Sequence, residues 1–202
     1  MELKTIQDKI SYIIGRDMAA NLYKQGIEVD AEPFMQGFKE ILEGKASTLS
    51  QEDVQQAMMA LQQEMGQKQS ARTAQNKKAG EDFLAENKNK EGVKTLPSGL
   101  QYQVLQEGNG KSPSAKDSVT THYHGTLIDG TVFDSSYERG QPATFPVNGV
   151  IAGWTEALQL MKEGAKWRLF IPSNLAYGSQ GAGDVIGPDA ALVFDVELIS
   201  VN

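Results

Sequence analysis

From Pro33 to Pro97 the chain contains no proline, and the other five of its seven prolines lie beyond Pro97. Proline lacks the amide hydrogen a helix needs and clashes with the preceding turn. A long proline-free stretch followed by a proline- and glycine-rich one therefore marks a change of architecture. Residues 1–95 read as helix; residues 97–202, rich in glycine and β-branched side chains, read as strand.

In the first half, Ile6, Ile10, Ile14, Met18 and Leu22 recur at every fourth position, along one helical face. Phe34, Phe38, Ile41 and Leu42 repeat the pattern after Pro33, with Gly44 placed to end that helix. Ser50 and Asp53 have the spacing of a capping box opening a third helix, whose stripe is Val54, Met58, Leu61 and Met65. From Gly66 to Lys78 the stripe vanishes although good helix formers continue. A helix carried to about Lys90 would be some 40 residues long, roughly 60 Å, and polar all round like a solvated spacer. Five of the seven methionines (Met18, Met35, Met58, Met59 and Met65) fall in this half. Three short helices enclose little apolar surface alone, so a dimer through residues 1–65 is expected. The expected division is 1–65 helical, 66–95 connecting helix and 96–202 a second domain.

The second half alternates. Leu100, Tyr102 and Val104 open it. "SVTTHYHGTLI" meets an Asp129-Gly130 turn, with "TVFDSS" as hairpin partner. "GWTEALQLM" suits one short helix closed by Gly164, and "KWRLFIP" and "ALVFDVELISV" supply further strands. Antiparallel strands with a single helix make this an α+β domain.

Composition removes whole classes of function. There is no cysteine, which excludes thiol catalysis, cysteine-ligated zinc and disulfides. The net charge of −7 argues against nucleic acid and anionic membrane as partners. No apolar run is long enough to span a bilayer, and the opening residues lack the pattern of a signal peptide, so a cytoplasmic protein is expected. No cofactor is expected. His122 and His124 share a strand face but find no third ligand at a convincing spacing, and read as exposed strand residues. Ser135 and Ser136 lack a base. "YGSQGAG" has neither the lysine nor the following helix of a phosphate loop.

"FDSS", residues 133–136, remains. On a regular strand Phe133 and Asp134 face opposite sides; on a bulged one both reach the same site. Acid catalysis, a metal and a buried hydrogen bond are each consistent with such a carboxylate.

Five segments in order, "VTTHYHG", "DGTVFDSS", "GVIAGWTEAL", "IPSNLAYG" and "ALVFDVEL", resemble the FKBP family of peptidyl-prolyl cis–trans isomerases. "SYIIG" and the long charged helix resemble its dimeric bacterial subgroup typified by the macrophage infectivity potentiator. The resemblance implies a sheet wrapped around one short helix and an apolar pocket. Trp154 would be its floor, Tyr123, Phe133 and Phe194 its walls, and Val150 and Ile151 one rim, with Phe145 also binding substrate. Substrate carbonyls would be held by the Ile151 amide and the Tyr177 hydroxyl. Asp134 would lie at the edge, held by Arg139 and Tyr123, as an electrostatic group and not as a general acid or base, and Ile186 would sit on a flap. Implied partners are prolyl-containing unfolded or partly folded proteins, macrolide inhibitors and a second copy of the chain. A competing reading is a peptide-holding module with little turnover. Two positions depart from the pattern. Ala143 stands where many members have an aromatic, and Gly187 stands where a proline is common, which is expected to loosen the flap.

Overall fold

A computed structural model describes residues 3–202; Met1 and Glu2, with which the expected helical half begins, lie outside them. The chain forms two compact units, one ending at Lys68 and the other spanning Gln69–Asn202.

The first unit contains α1 (Ile6–Lys24), α2 (Ala31–Leu42) and the start of α3 (Gln51–Asn87). Each helix begins on a side-chain cap that satisfies amides the helix itself cannot. The Thr5 hydroxyl accepts from the Asp8 amide at 3.0 Å and the Asp8 carboxylate accepts from the Thr5 amide at 2.8 Å. The Asp30 carboxylate accepts from the Glu32 amide at 3.0 Å. The Ser50 hydroxyl accepts from the Asp53 amide at 3.1 Å, while the Asp53 carboxylate accepts back from the Ser50 amide at 3.2 Å. No residue of α1 or α2 is buried.

α3 is helical without a break through the polar stretch. Its second half is not a bare spacer, for it packs on the second unit's own sheet. Gly80 approaches Ala191 so closely that an added Cβ would lie 3.0 Å from the alanine methyl. Phe83 meets Phe170 with ring centroids 6.0 Å apart. Asn87, fully buried, donates from its amide to Gln101 at 3.0 Å, and Gln101 donates in turn to the Leu84 carbonyl at 2.9 Å. Docking by a glycine, one aromatic pair and two amides has no hydrophobic period, and the two compact units meet in sequence at Lys68 and Gln69.

The sheet is built from β1 (Val93–Thr95), β2 (Gln101–Gln106), β3 (Ser118–Leu127), β4 (Val132–Ser135), β5 (Ala143–Pro146), β6 (Lys166–Ile171) and β7 (Leu192–Val201). Every pairing is antiparallel, in the order β1-β2-β6-β7-β3-β4, with β5 beside the first half of β3. Burial alternates along β3, with Val119, Thr121 and Tyr123 inward. That inner face meets α4 (Ala152–Leu160), which buries Gly153, Trp154, Ala157 and Leu158. The α+β class expected from the sequence is the one observed. α4 does not run to Gly164. Met161, wholly buried, turns the chain to extended backbone (ψ 155°), and Gly164, at φ 88°, serves the next turn, its amide donating to the Leu198 carbonyl at 2.8 Å.

Candidate active site

The β3–β4 hairpin answers how Phe133 and Asp134 are disposed. His124 pairs with Ser135, Gly125 with Asp134, and Thr126 with Val132, so Phe133 is an extra residue in β4. A bulge of this kind shifts the alternation by one. Phe133 and Asp134 consequently line the same cavity, of about 350 Å³, with Tyr123, Phe145, Val150, Ile151, Trp154, Tyr177 and Phe194. Gly149 also lines it.

Trp154 is buried, and three rings stand edge-on around it: Tyr123 at 5.3 Å and 84°, Phe194 at 5.3 Å and 81°, and Phe145 at 6.0 Å and 88°. Phe133 meets Phe194 in the same manner at 5.3 Å and 80°. Edge-to-face pairs add about 0.5–1.5 kcal/mol each beyond area burial, so the walls brace one another. At the mouth the Tyr123 hydroxyl donates to Asp134 at 2.5 Å, and Arg139 donates both to Asp134 and to the Tyr123 oxygen, the latter at 2.7 Å. Burial pushes the Asp134 carboxyl up, but the hydrogen bonds from Tyr123 and Arg139, with the guanidinium charge, outweigh it and hold the group below the ordinary value. Tyr123 is raised, by burial first and then by its bond to Asp134; Tyr177 is raised by burial and by the charge of Asp134. The mouth therefore carries a carboxylate and two protonated phenols at neutral pH.

Backbone donors complete the cavity. Ile151 caps α4, its carbonyl accepting from Trp154 at 2.9 Å and Thr155 at 3.0 Å, while its own amide donates to no group among the described residues. The Tyr177 hydroxyl is likewise without a partner among the described residues, and this side chain is 39% exposed. Arg139 acts from outside the lining, through Asp134. Ile186 is buried in the core cluster and is not among the lining residues. Ala143 packs against the core, also away from the lining.

Residues 109–199 match the family model described as FKBP-type peptidyl-prolyl cis-trans isomerase, and residues 7–104 match the domain amino terminal to it. A Coxiella burnetii protein named peptidyl-prolyl cis-trans isomerase Mip is 49% identical over 204 residues, covering 99% of this chain and 89% of its own length. The chain belongs to the FKBP-type peptidyl-prolyl cis–trans isomerases. An Escherichia coli FKBP-type 22 kDa isomerase is 44% identical over 198 residues, covering 98% of this chain and 96% of its own. The crystal structure of FkpA from Escherichia coli superposes with a TM-score of 0.73 at 38% identity, covering 100% of this chain and 99% of that one. As an FKBP-type isomerase the protein accelerates rotation about X–Pro bonds, and prolyl peptides are its substrates.

Two readings of the FKBP sequence need correction. The histidines are half-buried, not exposed. His122 stacks on Tyr137 at 4.6 Å and 14°, and His124 lies in a groove with Phe83 of α3 and with Lys90, three residues beyond that helix. Nor is Ser136 without a basic neighbour, since His122 Nδ1 lies 2.9 Å from its hydroxyl. That hydroxyl is fully buried and bridges the Tyr123 amide (2.7 Å) and carbonyl (3.1 Å), which makes it a brace between β3 and β4 and not a nucleophile. Gly125 was missed as well. A Cβ there would lie 2.7 Å from both Phe133 and Phe194, so a glycine in mid-strand admits two walls of the pocket.

Proposed function

We propose that isomerisation takes place in this cavity without a covalent intermediate. An X–Pro amide resists rotation through resonance, and its planar form is more dipolar than the twisted one. The aromatic lining receives the proline ring over Trp154 and replaces water around the amide with apolar surface. The Ile151 amide and the Tyr177 hydroxyl hold flanking carbonyls. Asp134, fixed by Tyr123 and Arg139, orients the polar mouth. Each ~1.4 kcal/mol favouring the twisted state gives tenfold in rate, so no nucleophile is required. The observation that carries this reading is the set of edge-on rings around a buried Trp154, open on one side to donors without partners among the described residues. Macrolide inhibitors of the family are proposed to occupy the same space.

The first unit is proposed to pair with a second copy and to hold clients. Ile6 is 72% exposed, Ile41 80%, Leu42 72%, Met58 61% and Met59 64%, all on helices. Soluble monomers rarely leave such apolar surface open. Two copies facing one another would cover part of it and leave adaptable methionine surface for partly folded chains. Cytoplasmic residence, expected from the sequence, draws no support from relatives, since a Legionella longbeachae protein 44% identical over 204 residues is named an outer membrane protein.

The test compares the full chain with Gln69–Asn202, a cut that keeps the packed part of α3. Both should turn over a short prolyl peptide equally in a protease-coupled assay, because such a substrate needs one pocket. The full chain should sediment as a dimer and speed proline-limited refolding of a protein far more than the fragment does, through raised effective concentration. Equal performance on the refolding protein, or a monomeric full chain, would refute the dimeric client-holding reading; no acceleration of peptide turnover by either would refute the pocket.

A further inference from the structure

Gly187 is where side chains of α3 meet the flap. The flap closes on itself through an antiparallel bridge, the Ala182 amide donating to Ile186 at 2.9 Å and the Ile186 amide to Ala182 at 3.1 Å. Gly187 and Pro188 follow, both buried. The Asn76 side chain donates to the Pro188 carbonyl at 2.8 Å. A Cβ on Gly187 would lie 2.8 Å from that same nitrogen and 2.9 Å from Arg72 Nε, closer than real Cβ contacts come. Any larger residue, proline included, would push these two α3 side chains away. On its other side the stem is tied to the pocket. Asp189, held at φ 51° where non-glycine residues are rare, donates its amide to the Gly178 carbonyl at 2.9 Å. Gly178 is the residue after Tyr177, whose ring lines the cavity.

We infer that Asn76 and Arg72 of α3 are positioning residues for the isomerase site, acting through Gly187–Asp189 on Tyr177, and that Gly187 is present to admit them. This rests on the cavity being the site of turnover. The helix that leads into the catalytic unit thereby also holds one wall of its substrate site, and substrate affinity depends on it.

The experiment measures kcat and KM of the full chain on a prolyl tetrapeptide. Loss of one hydrogen bond is worth about fivefold. Asn76→Ala should raise KM by about threefold to tenfold with kcat within about twofold, the pattern of lost binding. Asn76→Asp keeps the shape but removes the donor and should do the same. Gly187→Ala should raise KM similarly in the wild-type background. It should cause no further change in the Arg72→Ala/Asn76→Ala background, where its methyl meets no side chain from α3. A purely structural role would lower the denaturation midpoint without that background dependence. An unchanged KM in both Asn76 variants overturns the inference, as does a Gly187→Ala effect equal in the two backgrounds. Asp134→Asn reports on the pocket separately. If it is impaired while the Asn76 variants are normal, the α3 clasp alone fails; if it is normal, the pocket assignment fails and the inference with it.

Discussion

Gly125→Ala tests whether Phe133 and Phe194 are walls of the working site. Gly125 lies on β3 opposite Phe194 on β7 and opposite Asp134 on β4, just where Phe133 bulges out of β4. The added methyl would stand 2.7 Å from Phe133 Cε2 and Cζ and from Phe194 Cε1. Carbon atoms rest about 3.5–4.0 Å apart, so each ring must retreat by roughly 1 Å. Phe194 has little room to do so, being only 4% exposed and wedged against Trp154. Overpacking of this kind costs about 1–3 kcal/mol, small enough to leave a folded protein of ordinary stability. A retreat of about 1 Å in two of the walls should reduce kcat/KM by tenfold or more, since misplacements of that size cost up to about a hundredfold. Chemical denaturation gives the first quantity and the protease-coupled peptide assay the second. Phe133→Leu added to Gly125→Ala removes the ring edge the methyl meets and should recover part of the lost stability. Wild-type kcat/KM in a variant destabilised as expected would refute the reasoning: the rings would then have moved without consequence for turnover.

Asp134→Asn should lower kcat/KM by about tenfold while changing stability by less than about 1 kcal/mol, because the carboxylate is 40% exposed and water replaces much of what its partners supply; unchanged kinetics would remove Asp134 from the site and the pocket assignment with it. The pH profile follows from the same network. Asp134 is held below its ordinary value, so its contribution to folding is present above about pH 4 and lost as pH falls through its folded value, and with the Tyr123 and Tyr177 phenols raised, turnover should be flat from about pH 5 to about pH 9. A bell-shaped profile centred near neutrality would point to an acid–base pair absent from this pocket.

The sheet and its helix were readable because alternation and turn residues are local signals. β3, β6 and β7 emerge from every-second-residue patterns, and Asp129-Gly130 marks the hairpin with Gly130 at φ 88°. The cavity residues could be named only through resemblance, since Trp154 and Tyr177 carry no local mark separating pocket from core. The bulge at Phe133 could be framed as an alternative but not decided, because register depends on the partner strand. What could not be read was contact over long sequence separation. Asn87 and Gln101 look like surface amides until the helix and sheet are brought together. Gly187 was read from backbone freedom alone, as a loosened loop, whereas its meaning comes from Arg72 and Asn76 more than a hundred positions earlier, the Asn76–Pro188 bond alone spanning 112 residues.

These misreadings share a physical cause that bears on catalysis. A site that makes and breaks no covalent bond has only shape, dielectric and a few fixed dipoles with which to separate the twisted amide from the planar one. Its rate therefore depends on walls held to within tenths of an ångström. In this chain that placement is governed from behind the walls: Gly125 admits Phe133 and Phe194, Ser136 fixes the backbone of Tyr123, Gly153 brings α4 against Ile171, and Gly187 admits the α3 side chains. Apart from the serine these are glycines, where one methyl group displaces a neighbour by more than packing tolerates. They touch no substrate and offer no chemistry, and so a search of the sequence for reactive groups passes over them. In an enzyme whose catalytic means is the form of an aromatic cavity, substitutions there should be as damaging to kcat/KM as changes to Asp134 itself.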